Sequence, residues 1–305
     1  IRARRPGVAF SMASNPEFLR EGSAIEDFMR PDRVVIGAED DRGQEMMRRV
    51  YRPLNLRETP IVMTTLENAE LIKYAANAFL AMKVTFINQV ADLCEKVGGN
   101  VHDVARGIGM DKRIGSKFLH AGPGFGGSCF PKDTRAFAAT GREHGAPQRL
   151  IEAVTEINES RKQDMAARVI EAAKTSGGTT VAVLGIAFKP GTDDVREAPS
   201  LDIIPALQQA GLTVRAHDPE AMDNARTLLP GVLWCGSAYE AVEGADVTVL
   251  LTEWNHFRAL GLKRVAELMR GKVLIDLRNV YQPADLAGTG LSYQSVGRPA
   301  LEETS

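Results

Sequence analysis

In the second half of the chain, apolar positions come in short unbroken runs. Thr180–Gly185, Asp246–Leu251 and Val273–Asp276 each read as a strand buried on both faces, and Leu212–His217 reads as another. Between and around them Leu201–Ala210, Asp223–Leu229, Ala238–Val242 and Val265–Met269 read as helices. Strands alternating with helices predict an open α/β domain with a parallel sheet. Ligands bind such a sheet outside the carboxyl ends of its strands. Those ends carry Lys189, Asp218-Pro219, Thr252-Glu253 and Asp276-Leu277-Arg278.

Upstream the pattern changes. Leu66–Val97 is rich in alanine, leucine and other helix formers, and Gly98-Gly99 stops it. Val101–Gly107 predicts a second, shorter helix, and Thr134–Glu143 another after Pro131. Gln148–Lys174 predicts a long one of about 40 Å at 1.5 Å per residue, a rod between two domains. Before Thr65 the elements are brief. Val8–Met12, Val34–Gly37 and Ile61–Met63 read as strands, and Asp40–Tyr51 as a helix with acids early and arginines late. The chain therefore divides into residues 1–64, a helical stretch 65–174 and an α/β domain 175–305.

Composition adds exclusions. Of 305 residues, 44% are hydrophobic and 25% charged, the balance of an ordinary globular protein with room for about two domains. The formal net charge of −2 predicts no attraction to nucleic acid or membrane. The local basic clusters Arg2/Arg4/Arg5 and Arg48/Arg49/Arg52 read as solvated surface. No apolar run reaches the roughly 18 residues that span a bilayer. Cys94, Cys129 and Cys235 are far apart, with no spacing that suggests zinc or a disulfide framework. The simplest compartment is the reducing cytoplasm.

The densest chemistry lies in Gly124-Phe-Gly-Gly-Ser-Cys-Phe-Pro-Lys-Asp133. Glycines let backbone approach a ligand closely. Cys129 follows them, with Lys132 and Asp133 three and four positions later, so the segment reads as a covalent catalytic site rather than as a small core residue beside a turn. Lys73 and Asn77 stand at i, i+4 on one helix face. Lys73 is either a snorkelling surface residue or a desolvated cation for an oxyanion, with Asn77 as a neutral donor. Glu17 and Glu21, also at i, i+4, can supply a general base. No Gly-x-Gly-x-x-Gly follows a predicted strand: residues 184–188 read Leu-Gly-Ile-Ala-Phe, and the pattern's match at Gly122–Gly127 lies in the cysteine loop. The loop Lys189–Arg196 offers cations and backbone donors for phosphates, and reads equally as a solvated turn.

Four segments together resemble the UDP-glucose/GDP-mannose dehydrogenase family. They are NPEFLREGSAIEDFMRPDRVVIG (15–37), ENAELIKYAANAFLAMKVTFINQVADLCE (67–95), RIGSKFLHAGPGFGGSCFPKDTRA (113–136) and GIAFKPGTDDVREAPS (185–200). The wording of the cysteine loop is similar to the UDP-glucose branch. The resemblance implies an α/β fold: the last part of an N-terminal Rossmann-like domain (1–64), a central helical dimerisation domain (65–174) and a C-terminal Rossmann-like, UDP-sugar-binding domain (175–305).

It also implies oxidation of UDP-glucose to UDP-glucuronate in two steps with NAD, whose main binding loop is not in these residues. The implied catalytic residues are Cys129, Lys73, Asn77, Asp133 and Glu17. Implied substrate contacts are Phe18, Leu19, Arg20, Glu21, Lys73, Asn77, Arg113 (reaching a neighbouring subunit), His120 to Gly126 with Phe125 among them, Phe188, Lys189 and Arg278. Cofactor contacts would be Glu21, Lys132 and Arg196. The partners implied are UDP-glucose and a second copy of the chain packed through the central helices. Competing readings are the same chemistry on GDP-mannose or a UDP-N-acetylhexosamine, and a non-catalytic nucleotide-sugar-binding or assembly module.

Overall fold

The alternating runs of residues 180–276 form a parallel sheet in the computed structural model, which describes residues 1, 3–55 and 59–300. The chain separates into two units, residues 1–77 and 78–305. Arg2 of the first basic cluster lies outside the described residues, as do positions 301–305 of the C-terminal domain. Arg4, Arg5, Arg48, Arg49 and Arg52 are exposed.

The first unit holds β1 (Ala13–Ser14), α1 (Ala24–Met29), β2 (Val34–Ala38), α2 (Asp41–Asn55), β3 (Ile61–Thr64) and the first turns of α3 (Leu66–Val97). β2 pairs antiparallel with β1 and parallel with β3. Val34, Ile36 and Leu54 are its buried core. Val8–Met12 is not a strand. Val8 and Met12 are 47% and 48% exposed, so the run has no face to bury, and pairing is taken up by the next two residues instead. α3 opens where the Thr65 hydroxyl accepts from Asn68 N at 3.2 Å. It closes where Gly99 N donates to Cys94 O at 2.8 Å, after Gly98 at φ +77°.

The second unit continues from α3 through α4 (Val101–Gly109), α5 (Phe130–Glu143) and α6 (Arg149–Thr175). The α/β part follows as β4 (Thr180–Leu184), α7 (Ser200–Gln209), β5 (Thr213–His217), α8 (Met222–Arg226), β6 (Leu233–Trp234), α9 (Ala238–Val242), β7 (Val247–Leu250), α10 (Asn255–Arg258), α11 (Leu262–Leu268), β8 (Val273–Asp276), a 3-10 turn at Pro283–Leu286 and β9 (Ser292–Ser295). The sheet order is β6-β5-β4-β7-β8-β9, all parallel. This is the order of doubly wound dinucleotide folds, and it reverses between β4 and β7. Loops after β4 and β7 therefore face a crevice at the switch point.

Two features decide what that crevice can hold. Asp218, at the end of β5, is fully buried. It accepts from Ile186 N at 2.7 Å, Ala187 N at 3.0 Å, Trp254 Nε1 at 3.1 Å, Glu220 N at 2.9 Å and Ala221 N at 2.8 Å. The turn after β4 is thus already satisfied by a carboxylate. Asp276, at the end of β8, is also fully buried, and this burial raises its pKa. It accepts from Arg278 N at 3.1 Å, Tyr281 N at 2.9 Å and Tyr293 Oη at 3.0 Å, which fixes the backbone that presents Arg278.

Candidate functional site

In the first unit the segment before α1 has no regular structure, so Glu17 and Glu21 do not share a helix face as their spacing suggested. Glu17 is instead held by α3. The Lys73 ammonium donates to Glu17 O at 2.6 Å and to Glu17 Oε1 at 3.1 Å. Glu17 Oε2 accepts from Leu19 N at 2.7 Å. Lys73 also lies 5.6 Å from the centroid of the Phe18 ring, whose face carries the Arg33 guanidinium at 4.0 Å. The Lys73 side chain is only 14% exposed, so the cation is largely withdrawn from water rather than snorkelling. Asn77 is buried one turn further along α3. Arg20 is taken up by Asp27 at 2.6 Å on the surface, and Glu21 is half-buried.

In the second unit α5 begins at Phe130, four residues before the expected start. Pro131 fits the first helical turn, where a missing N–H costs nothing, and so opens the helix rather than delaying it. Cys129 becomes the N-cap residue, with its sulfur 3.7 Å from the Ser128 hydroxyl. The partial positive charge of a helix N-terminus favours negative charge developing at that place. Among the described residues Cys129 is the one partly exposed thiol, since Cys94 and Cys235 are buried. Asp133 lies in the first turn, 1% exposed, and takes the exposed Lys132 ammonium at 2.6 Å.

The glycines before Cys129 interlock with the switch-point loops. Gly127 N donates to Arg196 O at 2.8 Å. A Cβ on Gly127 (φ +84°) would stand 2.8 Å from the Phe188 ring, and one on Gly126 would overlap the Glu197 carbonyl oxygen. A Cβ on Gly122 would meet an Arg278 guanidinium nitrogen at 3.2 Å. Arg278 Nε donates to Leu251 O at 2.8 Å, an Nη donates to Phe188 O at 3.0 Å, and Glu253 lies at 3.3 Å. Lys189 projects over the Phe188 ring at 5.4 Å. Arg196, largely exposed, pairs with Asp194 at 2.9 Å. The Arg135 guanidinium pairs with Glu197 at 2.6 Å and holds that carboxylate's pKa below its usual value.

Phe125, Gly126, Phe188, Lys189, Arg278 and the Cys129 loop are therefore one neighbourhood. A partly exposed thiol at a helix start follows a buried glycine loop that packs on the Phe188 ring, with the cations Lys189 and Arg278 beside that residue. Arg113 stands apart: its side chain is 89% exposed and paired with Asp111 at 2.5 Å. His120 is exposed at the entry to the glycine loop. Of the strand-end residues singled out from the sequence, Asp218, Thr252 and Asp276 are buried supports.

Three residues escaped the sequence reading. Asn88 on α3 accepts from Gly122 N at 2.8 Å. Asn158 on α6 accepts from Phe125 N at 2.8 Å and donates to Phe125 O at 3.1 Å. Arg161 Nε donates to Gly122 O at 2.5 Å. For the two asparagines a signal was available: asparagine is a poor helix-interior residue, so one inside a long helix marks a side chain with a tertiary task.

The packing of Gly126 predicts that Gly126→Ala displaces the 196–198 backbone, at about the 1–3 kcal/mol typical of overpacking. Calorimetry should show a lowered unfolding midpoint, and Cys129 should alkylate faster with iodoacetamide. If both quantities stay at wild-type values, the loop is not interlocked as described.

Comparison with known proteins gives concordant matches. Residues 2–55, 67–160 and 182–283 match the NAD binding, central and UDP binding domains of the UDP-glucose/GDP-mannose dehydrogenase family. A UDP-glucose 6-dehydrogenase of Rhizobium meliloti is 55% identical over 302 residues, 98% of this chain and 69% of the relative. That of Bacillus subtilis is 45% identical, covering 99% and 65%. A UDP-glucose dehydrogenase from Pyrobaculum islandicum superposes with a TM-score of 0.83 at 40% identity, covering 92% of this chain and 62% of that one. A UDP-D-ManNAc dehydrogenase from Pyrococcus horikoshii gives 0.82 at 27% identity, covering 96% and 66%. The chain thus spans about two thirds of the length of its relatives. Among the described residues no helix is long and apolar enough to cross a membrane.

Proposed function

The chain belongs to the UDP-glucose/GDP-mannose dehydrogenase family, and from that premise we propose that it oxidises UDP-glucose to UDP-glucuronate in two NAD-dependent steps through a covalent adduct on Cys129. The observation that carries this reading is the partly exposed Cys129 sulfur at the start of α5, on a loop interlocked with Phe188 and Arg278. The sugar is the finer part of the proposal, supported by relatives at 45–55% identity named for UDP-glucose.

NAD, when bound, accepts a hydride from C6 in each oxidation. The exposed cations Lys132 and Arg196 fit its diphosphate by charge, and Glu21 is a further contact by resemblance. Cys129 adds through sulfur to the C6 aldehyde, and the former carbonyl oxygen takes a proton, giving a thiohemiacetal. Once that carbon is oxidised the adduct is a thioester. Water adds to it, the sulfur leaves, and the carboxylate is released. Lys73 and Asn77 donate to the C6 oxygen at each tetrahedral stage, and Glu17 and Asp133 handle water and its protons. Lys189 and Arg278 take the diphosphate of the nucleotide sugar, with Phe125, Gly126 and Phe188 enclosing it. Phe18, Leu19, Arg20 and His120 complete the substrate contacts, and Arg113 serves the site of a neighbouring copy.

That second copy is assigned to α3, where Phe79, Phe86 and Leu93, seven residues apart, are 58%, 54% and 61% exposed on one face.

Titration calorimetry of the 305-residue chain tests ligand preference. UDP-glucose should bind and NAD should bind far more weakly, because the turn after β4 that would seat a dinucleotide diphosphate is filled by Asp218. Tight NAD binding by the chain alone would contradict that reading of the sheet.

A further inference from the structure

Asn158 and Arg161 face the substrate loop from α6, and nothing in the proposed chemistry uses them. They are 2% and 4% exposed. Asn158 bonds the backbone of one residue, Phe125, as acceptor at 2.8 Å and as donor at 3.1 Å. Arg161 bonds Gly122 O at 2.5 Å while another guanidinium nitrogen binds Asp92 at 2.8 Å. Asn88, 1% exposed, takes Gly122 N from the opposite helix. Gly122, Pro123 and Gly124 lack the side chains or backbone N–H groups that would let a loop hold itself, and Gly124 sits at φ +119° with its α-carbon turned to Asn158. Loop position is therefore set from outside, by side chains on α3 and α6.

We propose that Asn158 and Arg161, with Asn88, are positioning residues for the reaction: they fix Gly122–Gly126 so that Phe125, Gly126 and the following Cys129 present one fixed surface to the nucleotide sugar. The inference rests on the functional reading above. Its physical basis is that backbone polar groups buried in a protein must be paired, and here two of the loop's residues are paired through three side chains. A loop freed of that clamp keeps its chemistry and loses its geometry, and misplacement of about 1 Å costs on the order of 10²-fold in rate.

The experiment uses the intact protein carrying Asn158→Ala and, separately, Asn158→Asp. Asp keeps the acceptor for Phe125 N–H and loses the donor to Phe125 O. Three readouts are needed: kcat and KM for UDP-glucose per titrated Cys129, the rate of Cys129 alkylation by iodoacetamide with and without UDP-glucose, and the thermal midpoint. Positioning predicts kcat/KM lowered about 10²-fold in the Ala variant and less in the Asp variant. It also predicts that UDP-glucose protects Cys129 less well. Wild-type kcat, KM and protection per folded site, with only the midpoint lowered, would make Asn158 a scaffold residue and overturn the proposal. Should the Ala variant fail to fold, the Asp variant carries the same comparison. If wild-type protein makes no NADH from UDP-glucose, the functional reading fails. Altered Cys129 alkylation in the variants would then still support the clamp, and unaltered alkylation would refute it.

Discussion

Cys129→Ser abolishes steady-state formation of the uronate and leaves UDP-glucose binding in place. Serine is a favoured residue at a helix start, so the exchange suits the cap position of α5 and the loop keeps its packing. What changes is the atom. A hydroxyl is a far weaker nucleophile than a thiolate, so the aldehyde is not captured and no thioester forms. Turnover should fall by roughly 10³-fold or more. Steady-state NADH production and calorimetric titration with UDP-glucose check the two halves. Near-wild-type NADH production by the variant would end the covalent mechanism, and loss of binding alone would mean that Cys129 serves recognition.

Lys73→Ala lowers kcat by roughly 10²–10³-fold with a much smaller rise in KM. An oxyanion donor is engaged most strongly in the transition state, so its removal is felt in kcat. Lys73 suits the task because it is largely buried and already oriented, with Glu17 O and Oε1 as its resting partners. Asn77, one turn on, is likewise buried. Initial rates over a range of UDP-glucose concentrations separate the two constants. An unchanged kcat would return Lys73 to a structural partner of Glu17.

Different parts of the molecule were legible in the sequence for different reasons. β4, β7 and β8 showed as apolar runs because both faces of a central parallel strand are buried. β9, Ser-Tyr-Gln-Ser, did not, because it lies at the sheet edge and its pairing is decided by the backbone of β8. β6 has only two residues and left no period to read. The long helices were legible from composition, but α5 starts four residues before Thr134, because Pro131 suits the first turn of a helix. The glycines read as places where backbone can approach a ligand; in the structure the close neighbours of Gly126 and Gly127 are Glu197 and Phe188 of the chain itself. The spacing of Glu17 and Glu21 misled, since a four-residue interval has meaning only inside a helix. The two asparagines were marked by their place inside long helices, but the partners of Asn88, Asn158 and Arg161 were hidden, because apart from Asp92 they are main-chain atoms, which every sequence has everywhere.

The buried carboxylate of Asp218 also bears on how the two oxidations are ordered in time. The α/β sheet has the strand order of a dinucleotide fold, yet the backbone N–H groups of its phosphate turn are taken up from within by Asp218. It therefore cannot act as a reservoir for a second oxidant molecule. On the proposed reaction, both oxidations must draw on the same berth in succession, with a spent carrier leaving before a fresh one arrives. During that exchange a free aldehyde would be able to diffuse away. On that reaction the sulfur of Cys129 would have a second duty besides nucleophilic attack: it would be the mooring that keeps the half-oxidised sugar aboard while the carrier is changed.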